Sequence, residues 1–408
     1  MRKAGSEGYA LIVSLSIEPI RTTLIPIVAD KTGPFLKGKP DSKPYIHVNH
    51  YEKEIQMGNT RQVVVGGVKI GGGAPIAIQS MSTFSPLDTD AAAAQIQALH
   101  QAGADIIRVA VPDKKAAEAL GALRAKVNVP LVADIHFDYR LALTAMEQGI
   151  DALRINPGNI GKRENVVKVV DMAKEKHIPI RIGINAGSLP EDILAAHGGH
   201  PTAEGMVEGA LSHVRILEAE GFYDIVISVK SSDVPMMVKA NRLLSEKVDY
   251  PLHLGVTEAG TLYRGTVKSA IGIGSLLLDG IGDTIRVSLT DDPMKEVKAA
   301  KEILSSVGMQ QYGPVLISCP TCGRTQVNLI EMAKVVEEKI SHFKKPIKVA
   351  VMGCAVNGPG EAREADFGIA GGKGSGLVFR KGKILRSVPE DQLIDALMDE
   401  IRAYEEGK

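Results

Sequence analysis

Between Ile76 and Val287 the chain alternates short apolar runs with longer amphipathic stretches, and this repeat limits the folds open to it. The runs are Ile76-Ala77-Ile78, Ile106-Ile107-Arg108-Val109, Pro130-Leu131-Val132-Ala133 and Ala152-Leu153-Arg154-Ile155. Pro179-Ile180-Arg181-Ile182, Ile225-Val226-Ile227-Ser228-Val229, Pro251-Leu252-His253-Leu254 and Thr284-Ile285-Arg286-Val287 complete them. Ala91–Ala102 and Asn165–Lys176 represent the helices between, which often leave through glycine, as at Gly103, Gly149 and Gly221. A strand that returns through a helix must pair in parallel, and eight such strands are the number that closes a TIM barrel. The expectation is therefore an α/β chain built on a TIM (β/α)8 barrel, with an open doubly wound sheet as the alternative. No Gly-x-Gly-x-x-Gly follows the first strand, which disfavours a dinucleotide site. Ahead of it, Gln62–Val65 and Val68–Ile70 flank Gly66-Gly67 and read as a hairpin.

Residues 1–56 lack this periodicity. They hold scattered prolines and a short apolar patch, Ala10 to Ile17, behind Arg2 and Lys3, without a clear small-residue cleavage site. They read as a poorly ordered extension, with a docking segment as the alternative. Residues 57–308 form the expected barrel and substrate domain. Residues 312–408 form a smaller α+β domain: a strand at Val315-Leu316-Ile317, an amphipathic helix marked by Val327, Ile330, Ala333, Val336 and Ile340, and a strand at Ile347–Val351. Asp366–Ile369, a hairpin around Lys381-Gly382-Lys383 and a helix from Glu390 follow.

All three cysteines of the chain lie in this last domain, in Cys319-Pro320-Thr321-Cys322-Gly323 and Met352-Gly353-Cys354. Isolated thiols are usually inert core residues, but a Cys-Pro-x-Cys-Gly turn aims two sulfurs at one point. A zinc ribbon needs a second Cys-x-x-Cys about 15–20 residues on, and a redox pair leaves the third cysteine idle. An iron–sulfur cluster takes four protein ligands in the usual case, so three cysteines imply a non-cysteine ligand or an open iron. Glu361 is the best fourth candidate, because Gly358-Pro359-Gly360 turns the chain back toward Cys354.

Lys+Arg and Asp+Glu are 48 each, so no global field draws the chain to nucleic acid or an anionic membrane. Tryptophan is absent and aromatics are 4%, which leaves few stacking platforms for single strands. No apolar run reaches the ~20 residues of a membrane span, and the sparse, odd cysteines suit a reducing cytoplasm. Attraction for anions must be local. Arg108, Arg154, Arg181, Lys230 and Arg286 sit at or near strand ends, where a barrel keeps its active site. Asn156, Asn185, Ser288, Asp134, His136 and Glu258 share those positions. Cations converging from several strands need an offsetting anion, and guanidinium forks match phosphate oxygens, so a small diphosphate fits. Asp134 and His136 read either as a structural pair or as catalytic groups. His197 and His200 sit in a glycine-rich loop and read as solvent-exposed. Lys373, Arg380, Lys381 and Lys383 make a basic rim, either a solvated face or the landing site of an acidic electron carrier.

Several longer motifs carry a family resemblance over about residues 60–408: Gln79-Ser80-Met81, Val132–Asp138, Arg154–Gly158, Leu254–Gly260, Gly282–Ser288 and both cysteine segments. The chain resembles the bacterial 4-hydroxy-3-methylbut-2-enyl diphosphate synthases of isoprenoid biosynthesis. It departs from them in residues 1–56 and at Phe84-Ser85-Pro86-Leu87. The resemblance implies an oxidoreductase with a [4Fe–4S] cluster on Cys319, Cys322, Cys354 and Glu361. It implies reductive opening of 2-C-methyl-D-erythritol 2,4-cyclodiphosphate, with flavodoxin or ferredoxin as electron donor. Arg108, Arg154, Asn156, Arg181, Asn185, Lys230, Arg286 and Ser288 would hold the diphosphate, and Glu258 would act as an acid–base residue, with Glu361, Asp134 and His136 also assigned to catalysis. The opposing reading is a non-redox barrel for phosphorylated ligands with a structural zinc module.

The spacing of the two domains carries one more expectation. The eighth helix, Asp292 to Ser306, leads away from the barrel mouth over about 22 Å. The linker Val307–Gly313 then reaches at most about 25 Å, too short to return around the outer helices. A homodimer in which each cluster domain caps the partner's barrel, making a composite active site, removes the conflict.

Overall fold

A computed structural model of the chain describes residues 57–343, 345–355, 360 and 362–407. The expected extension over residues 1–56, the reversal at Gly358-Pro359 and Glu361 lie outside the described residues.

The hairpin forms as β1 (Val63–Val65) and β2 (Val68–Ile70), joined by Gly66 and Gly67 at φ 54° and 92°. Two successive positive φ values are the geometry of the tight turns that match strand twist, and glycine adopts them without strain. The first half of the barrel follows as β3 (Ala77–Met81), α1 (Thr89–Ala102), β4 (Ile106–Ala110), α2 (Lys114–Arg124), β5 (Leu131–Asp134), α3 (Tyr139–Glu147), β6 (Ala152–Arg154) and α4 (Arg163–Lys176). The second half is β7 (Ile180–Asn185), α5 (Glu191–Ala196), α6 (Ala203–Ala219), β8 (Ile225–Lys230), α7 (Val234–Ser245), β9 (His253–Leu254), α8 (Leu262–Leu278), β10 (Thr284–Ile285) and α9 (Pro293–Ser306).

The eight strands pair in parallel in the order β8-β7-β6-β5-β4-β3-β10-β9. A single parallel bridge, Ile227 to Leu252, spans the remaining gap, so the expected barrel is present and nearly closed. The seventh strand is shorter than its apolar run suggests. Pro251 has no N–H to give, and the Leu252 N–H goes to the Asp283 carboxylate at 2.8 Å. Aspartates at positions 88, 113, 138, 233 and 292 cap the starts of α1, α2, α3, α7 and α9 by accepting backbone N–H bonds. These caps fix where each strand-end loop stops.

Strand parity then divides the interior. Ile78, Ile107, Leu131, Ala133 and Leu153 face outward into the helices, in one continuous core. Ala77, Ile106, Val132 and Ala152 face inward and pack on Val65 and Ile70, so the hairpin closes the N-terminal end of the barrel. Residues two positions further along the same strands face inward at the other end. Those residues are Gln79, Arg108, Asp134 and Arg154.

The second domain runs β11 (Val315–Ser318), α10 (Leu329–Ile340), β12 (Lys348–Met352), β13 (Phe367–Gly371), β14 (Ser375–Arg380), β15 (Lys383–Pro389) and α11 (Leu393–Glu405). Its sheet follows chain order, parallel through β13 and antiparallel after it. Val349, Val351, Phe367, Ile369 and Val378 pack under α10 and α11. The opposite face is thinner: Ala350, Met352, Ala370 and Phe379 meet Ala362 and Ala365. Between the domains, Val307, Met309 and Tyr312 lie against the barrel core, and Lys301 Nζ, which donates to Ala102 O at 2.9 Å, stands over the Tyr312 ring. No helix among the described residues is long and apolar enough to cross a membrane.

Candidate active site

Register brings the strand-end cations into one pocket. Arg108 on β4 is level with Met81 on β3, Asp134 with Arg154, and Arg154 with Arg181. Asn185 is level with Lys230, and Arg286 follows β10 directly. Arg108, Arg154, Arg181, Lys230 and Arg286 line one cavity at the C-terminal end of the barrel. Asn185, Ser228, Thr257 and Ser288 supply neutral polar groups to the same walls.

Each cation is held in place. Arg154 Nη2 donates to Gly183 O at 3.1 Å, and its Nη1 lies 3.4 Å from Asp134 Oδ1. Arg108 Nε lies 3.6 Å from Asp134 Oδ2, while its Nε and Nη2 also meet the Met81 sulfur. Arg181 crosses the barrel to donate to Gln79 Oε1. Arg286 Nη2 faces Glu296 Oε2 at 3.5 Å, and Glu296 Oε1 accepts from Leu289 N at 2.8 Å. Lys230 Nζ rests 3.3 Å from His253 Nε2.

Two glycines make room for this packing. A Cβ at Gly183 would stand 2.7 Å from Arg154 Nε, and one at Gly255 would stand 2.8 Å from Lys230 Nζ. Side chains at these positions would push the charged groups out of the pocket.

Five basic side chains here face two carboxylates, Asp134 and Glu296. Burial pushes Arg108 down to about 10, and pushes Arg181 and Lys230 well below their ordinary values, with the neighbouring guanidiniums adding to the shift. The two carboxylates diverge. Burial alone would raise Asp134, but His136, Arg108 and Arg154 together outweigh it and hold the carboxyl well below the usual range. Burial wins at Glu296 and raises it. The array is a preorganised excess of positive charge, suited to a compact polyanion.

The remaining predicted groups take different places. Asn156 does not point its carbonyl at the pocket: Oδ1 accepts from Gly183 N at 3.0 Å, which fixes β7 beneath Arg154. His136 is half exposed, with Nε2 3.5 Å from Asp134 and Nδ1 3.2 Å from Arg154 Nη1. Glu258 is exposed on the next loop, one of three described non-glycine residues at positive φ (51°). Such a backbone costs energy and is common where a loop aims a functional side chain.

The cysteines lie at the ends of the adjacent parallel strands β11 and β12. Gly353 N donates to Cys319 Sγ at 3.3 Å, and Gln326 N donates to Gly353 O at 3.0 Å, which ties the two loops together. Cys354 is buried, Cys319 half-buried and Cys322 exposed, its thiol lowered by the N–H and the guanidinium of Arg324. Soft sulfurs on tied loops, one already accepting an amide N–H, match the donor chemistry of an iron–sulfur cluster. No group of three His, Cys, Asp or Glu among the described residues is drawn together closely enough to hold a metal. In the basic rim, Arg380 lies over the Phe367 and Tyr404 rings, and Lys381 faces Asp366 at 3.9 Å. His197 pairs with Glu208 at 2.8 Å, and His200 Nδ1 lies 3.1 Å from Gly198 O.

Gln79, His253, Glu296, Gly183 and Gly255 were not singled out as site residues. Inward parity along each strand is the signal that finds His253 and Gln79. Glu296 has none, since one acid in a first helical turn reads as a dipole partner.

A parallel (β/α)8 barrel with a cationic mouth, followed by a sheet domain whose first two strands run out into cysteines, defines a two-domain barrel enzyme for an anionic substrate. The family model described as the GcpE TIM-barrel domain matches residues 60–301, and that of the GcpE protein C-terminal domain matches residues 315–403. The chain belongs to the GcpE family. A relative from Clostridium perfringens is 60% identical over 339 residues, covering 83% of this chain and 97% of the relative. One from Caldanaerobacter subterraneus subsp. tengcongensis is 58% identical, covering 84% and 96%. One from Geobacter sulfurreducens is also 58% identical, covering 84% and 97%. Each is named 4-hydroxy-3-methylbut-2-en-1-yl diphosphate synthase (flavodoxin).

Proposed function

We propose that the chain reduces 2-C-methyl-D-erythritol 2,4-cyclodiphosphate to (E)-4-hydroxy-3-methylbut-2-enyl diphosphate in the cytoplasm, with flavodoxin as electron donor. The observation that carries this reading is the convergence of Arg108, Arg154, Arg181, Lys230 and Arg286 on one pocket of a GcpE-family barrel. The diphosphate lies among these cations, with Asn185 and Ser288 completing its hydrogen bonds. An anion there replaces repulsion among buried positive charges with attraction. Asp134, ionised throughout, orients Arg108 and Arg154 and holds His136 at the rim as a proton donor. Glu258 moves a proton at the carbon skeleton, from a loop whose backbone geometry fixes its direction. Overall, two electrons and two protons enter, the ring opens and one oxygen leaves as water.

Cys319, Cys322, Cys354 and Glu361 would hold the [4Fe–4S] cluster, which supplies electrons one at a time when bound. The division of labour falls between residues 57–308 and 312–408. The composite homodimer site is part of the same reading. Supporting it, the linker is spent along the base of the barrel, where Lys301 meets the last turn of α1 and Tyr312 lies under Lys301.

The test is turnover of the cyclic diphosphate by anaerobically purified protein with reduced flavodoxin, followed by mass spectrometry of the product. A brown protein that forms the linear diphosphate supports the reading. A colourless, zinc-loaded protein that binds the substrate without consuming it overturns the redox assignment.

A further inference from the structure

Beneath the pocket, in contact with Lys230, lies a histidine to which the proposed reaction assigns no role. His253 is 1% exposed and belongs to the shortened strand β9. Its Nε2 stands 3.3 Å from Lys230 Nζ, and its Nδ1 stands 3.4 Å from Oγ1 of Thr284, its in-register neighbour on β10. Two residues on, Gly255 leaves open the space that Lys230 occupies. The Lys230 amino group is therefore seated between an imidazole and a bare backbone.

We infer that His253 is a positioning residue, whose Nε2 holds Lys230 beneath the diphosphate, and that the Lys230–His253 pair takes up one proton from solvent as the anion binds. This rests on the reading of the barrel mouth as the diphosphate site. With the anion bound Lys230 is an ammonium, which donates only, so its contact at Nε2 then requires that nitrogen to be the acceptor. The remaining ring proton then sits on Nδ1 and points at Thr284, an assignment set by the hydrogen-bond network. A protonated imidazole has no lone pair left for Lys230.

The groups around the pair favour that neutral ring. Arg108 from β4, Arg154 from β6, Arg181 from β7 and Arg286 beyond β10 all face it, and Gln79 from β3 is neutral. Glu296 from α9 and Asp134 from β5 are the carboxylates on the pocket side. Asp283 turns away to Leu252 N and the Thr60 hydroxyl. Burial, then these guanidiniums, push both His253 and Lys230 well below their ordinary ranges. A diphosphate reverses the local field, and Lys230 is the group beside it able to gain a proton.

Inorganic pyrophosphate, titrated into the full-length chain in buffers of different ionisation enthalpy, reads this directly. Between about pH 7 and the ordinary lysine range near 10, the wild type should show net proton uptake on binding once the protons carried by pyrophosphate itself are subtracted. His253→Phe should bind about tenfold more weakly and lose the uptake. His253→Gln, which offers Oε1 to Lys230, should bind within about threefold of wild type. If the wild type does not bind pyrophosphate, the reading of the mouth itself fails. Should it bind with no proton uptake, or should the phenylalanine variant match it in affinity and proton count, the role of His253 is refuted. A folded glutamine variant as weak as the phenylalanine one makes His253 a packing residue only. If phenylalanine prevents folding, the wild-type proton count and the glutamine variant decide.

Discussion

The barrel mouth and the cysteine loops are built on opposite principles. In the mouth every cation stands on or directly after a strand, at a register fixed by the ladder, and is seated against Asp134, Glu296, Gln79, Gly183 or His253. The cysteines lie just past strand ends, with two described hydrogen bonds joining their loops. The first is finished by folding, at a cost in like-charge repulsion. On the proposed cluster assignment the second would be completed by its ion, because metal binding and local order are coupled. On that reading preorganisation resides in the domain that recognises charge, and adaptability in the domain that would accept a cofactor.

The largest effect that tests this contrast comes from the sulfur side. Cys354→Ser should abolish turnover and most bound iron, while pyrophosphate still binds the barrel with wild-type affinity. Glu258→Gln should be dead with its iron intact. Mixed and allowed to exchange subunits, the two should regain activity if the proposed composite homodimer holds, since one barrel of each mixed dimer would then meet an intact cysteine set across the two-fold axis. A mixture that stays inactive after exchange is verified by mass places both halves of the site in one chain.

The same contrast explains what the sequence made legible. The eight strands were readable because runs such as Ile225–Val229 are apolar on both faces, as parallel strands in an α/β barrel are. The strand-end cations were readable because each polar residue interrupts or ends such a run. His253 was hidden because it sits inside the run Pro251–Leu254 and looks like a tolerated exception, whereas Gln79 stands just past Ile76–Ile78, is neutral, and entered only as part of a family motif. Gly183 and Gly255 were invisible because their role is the absence of a side chain opposite a residue distant in sequence. Asn156 was read as a ligand of the diphosphate; its Oδ1 accepts from Gly183 N, a second task that only the fold reveals. Glu361 lies outside the described residues, so its part in the cysteine site rests on sequence.

A smaller, two-sided effect is expected inside the mouth. Arg181→Met removes a fully buried cation whose charge is opposed by burial and by Arg108, Arg154 and Arg286. Turnover should fall by roughly 10²-fold, the scale of losing one preorganised charged donor. Stability of the ligand-free chain should hold or rise by about 1 kcal/mol, since an apolar side chain of similar volume relieves the repulsion. The bond to Gln79 is lost in exchange, which keeps the gain small. Calorimetric melting without ligand, set beside the rate, separates the two. A variant that loses several kcal/mol shows that the mouth is structural rather than held against its own repulsion.

The smallest effect distinguishes the two carboxylates and turns on sign. Asp134 is lowered by folding, so the unfolded chain binds its proton more tightly. Its contribution is present above the ordinary carboxylate value and is lost as pH falls toward the lowered one. Glu296 is raised, because burial outweighs Arg286, the Leu289 N–H and Lys230. The folded chain then binds the proton more tightly, and stability drains away as pH rises through the raised value. Glu296→Gln keeps an oxygen for Leu289 N while removing the titration. At neutral pH the variant should be more stable than wild type by less than about 1 kcal/mol, with the gain vanishing near pH 4. Denaturant melts at the two pH values measure it. A variant less stable at neutral pH shows that the Arg286 pairing outweighs the burial of Glu296, which would make both carboxylates of the mouth fixed counter-charges and erase the distinction between them.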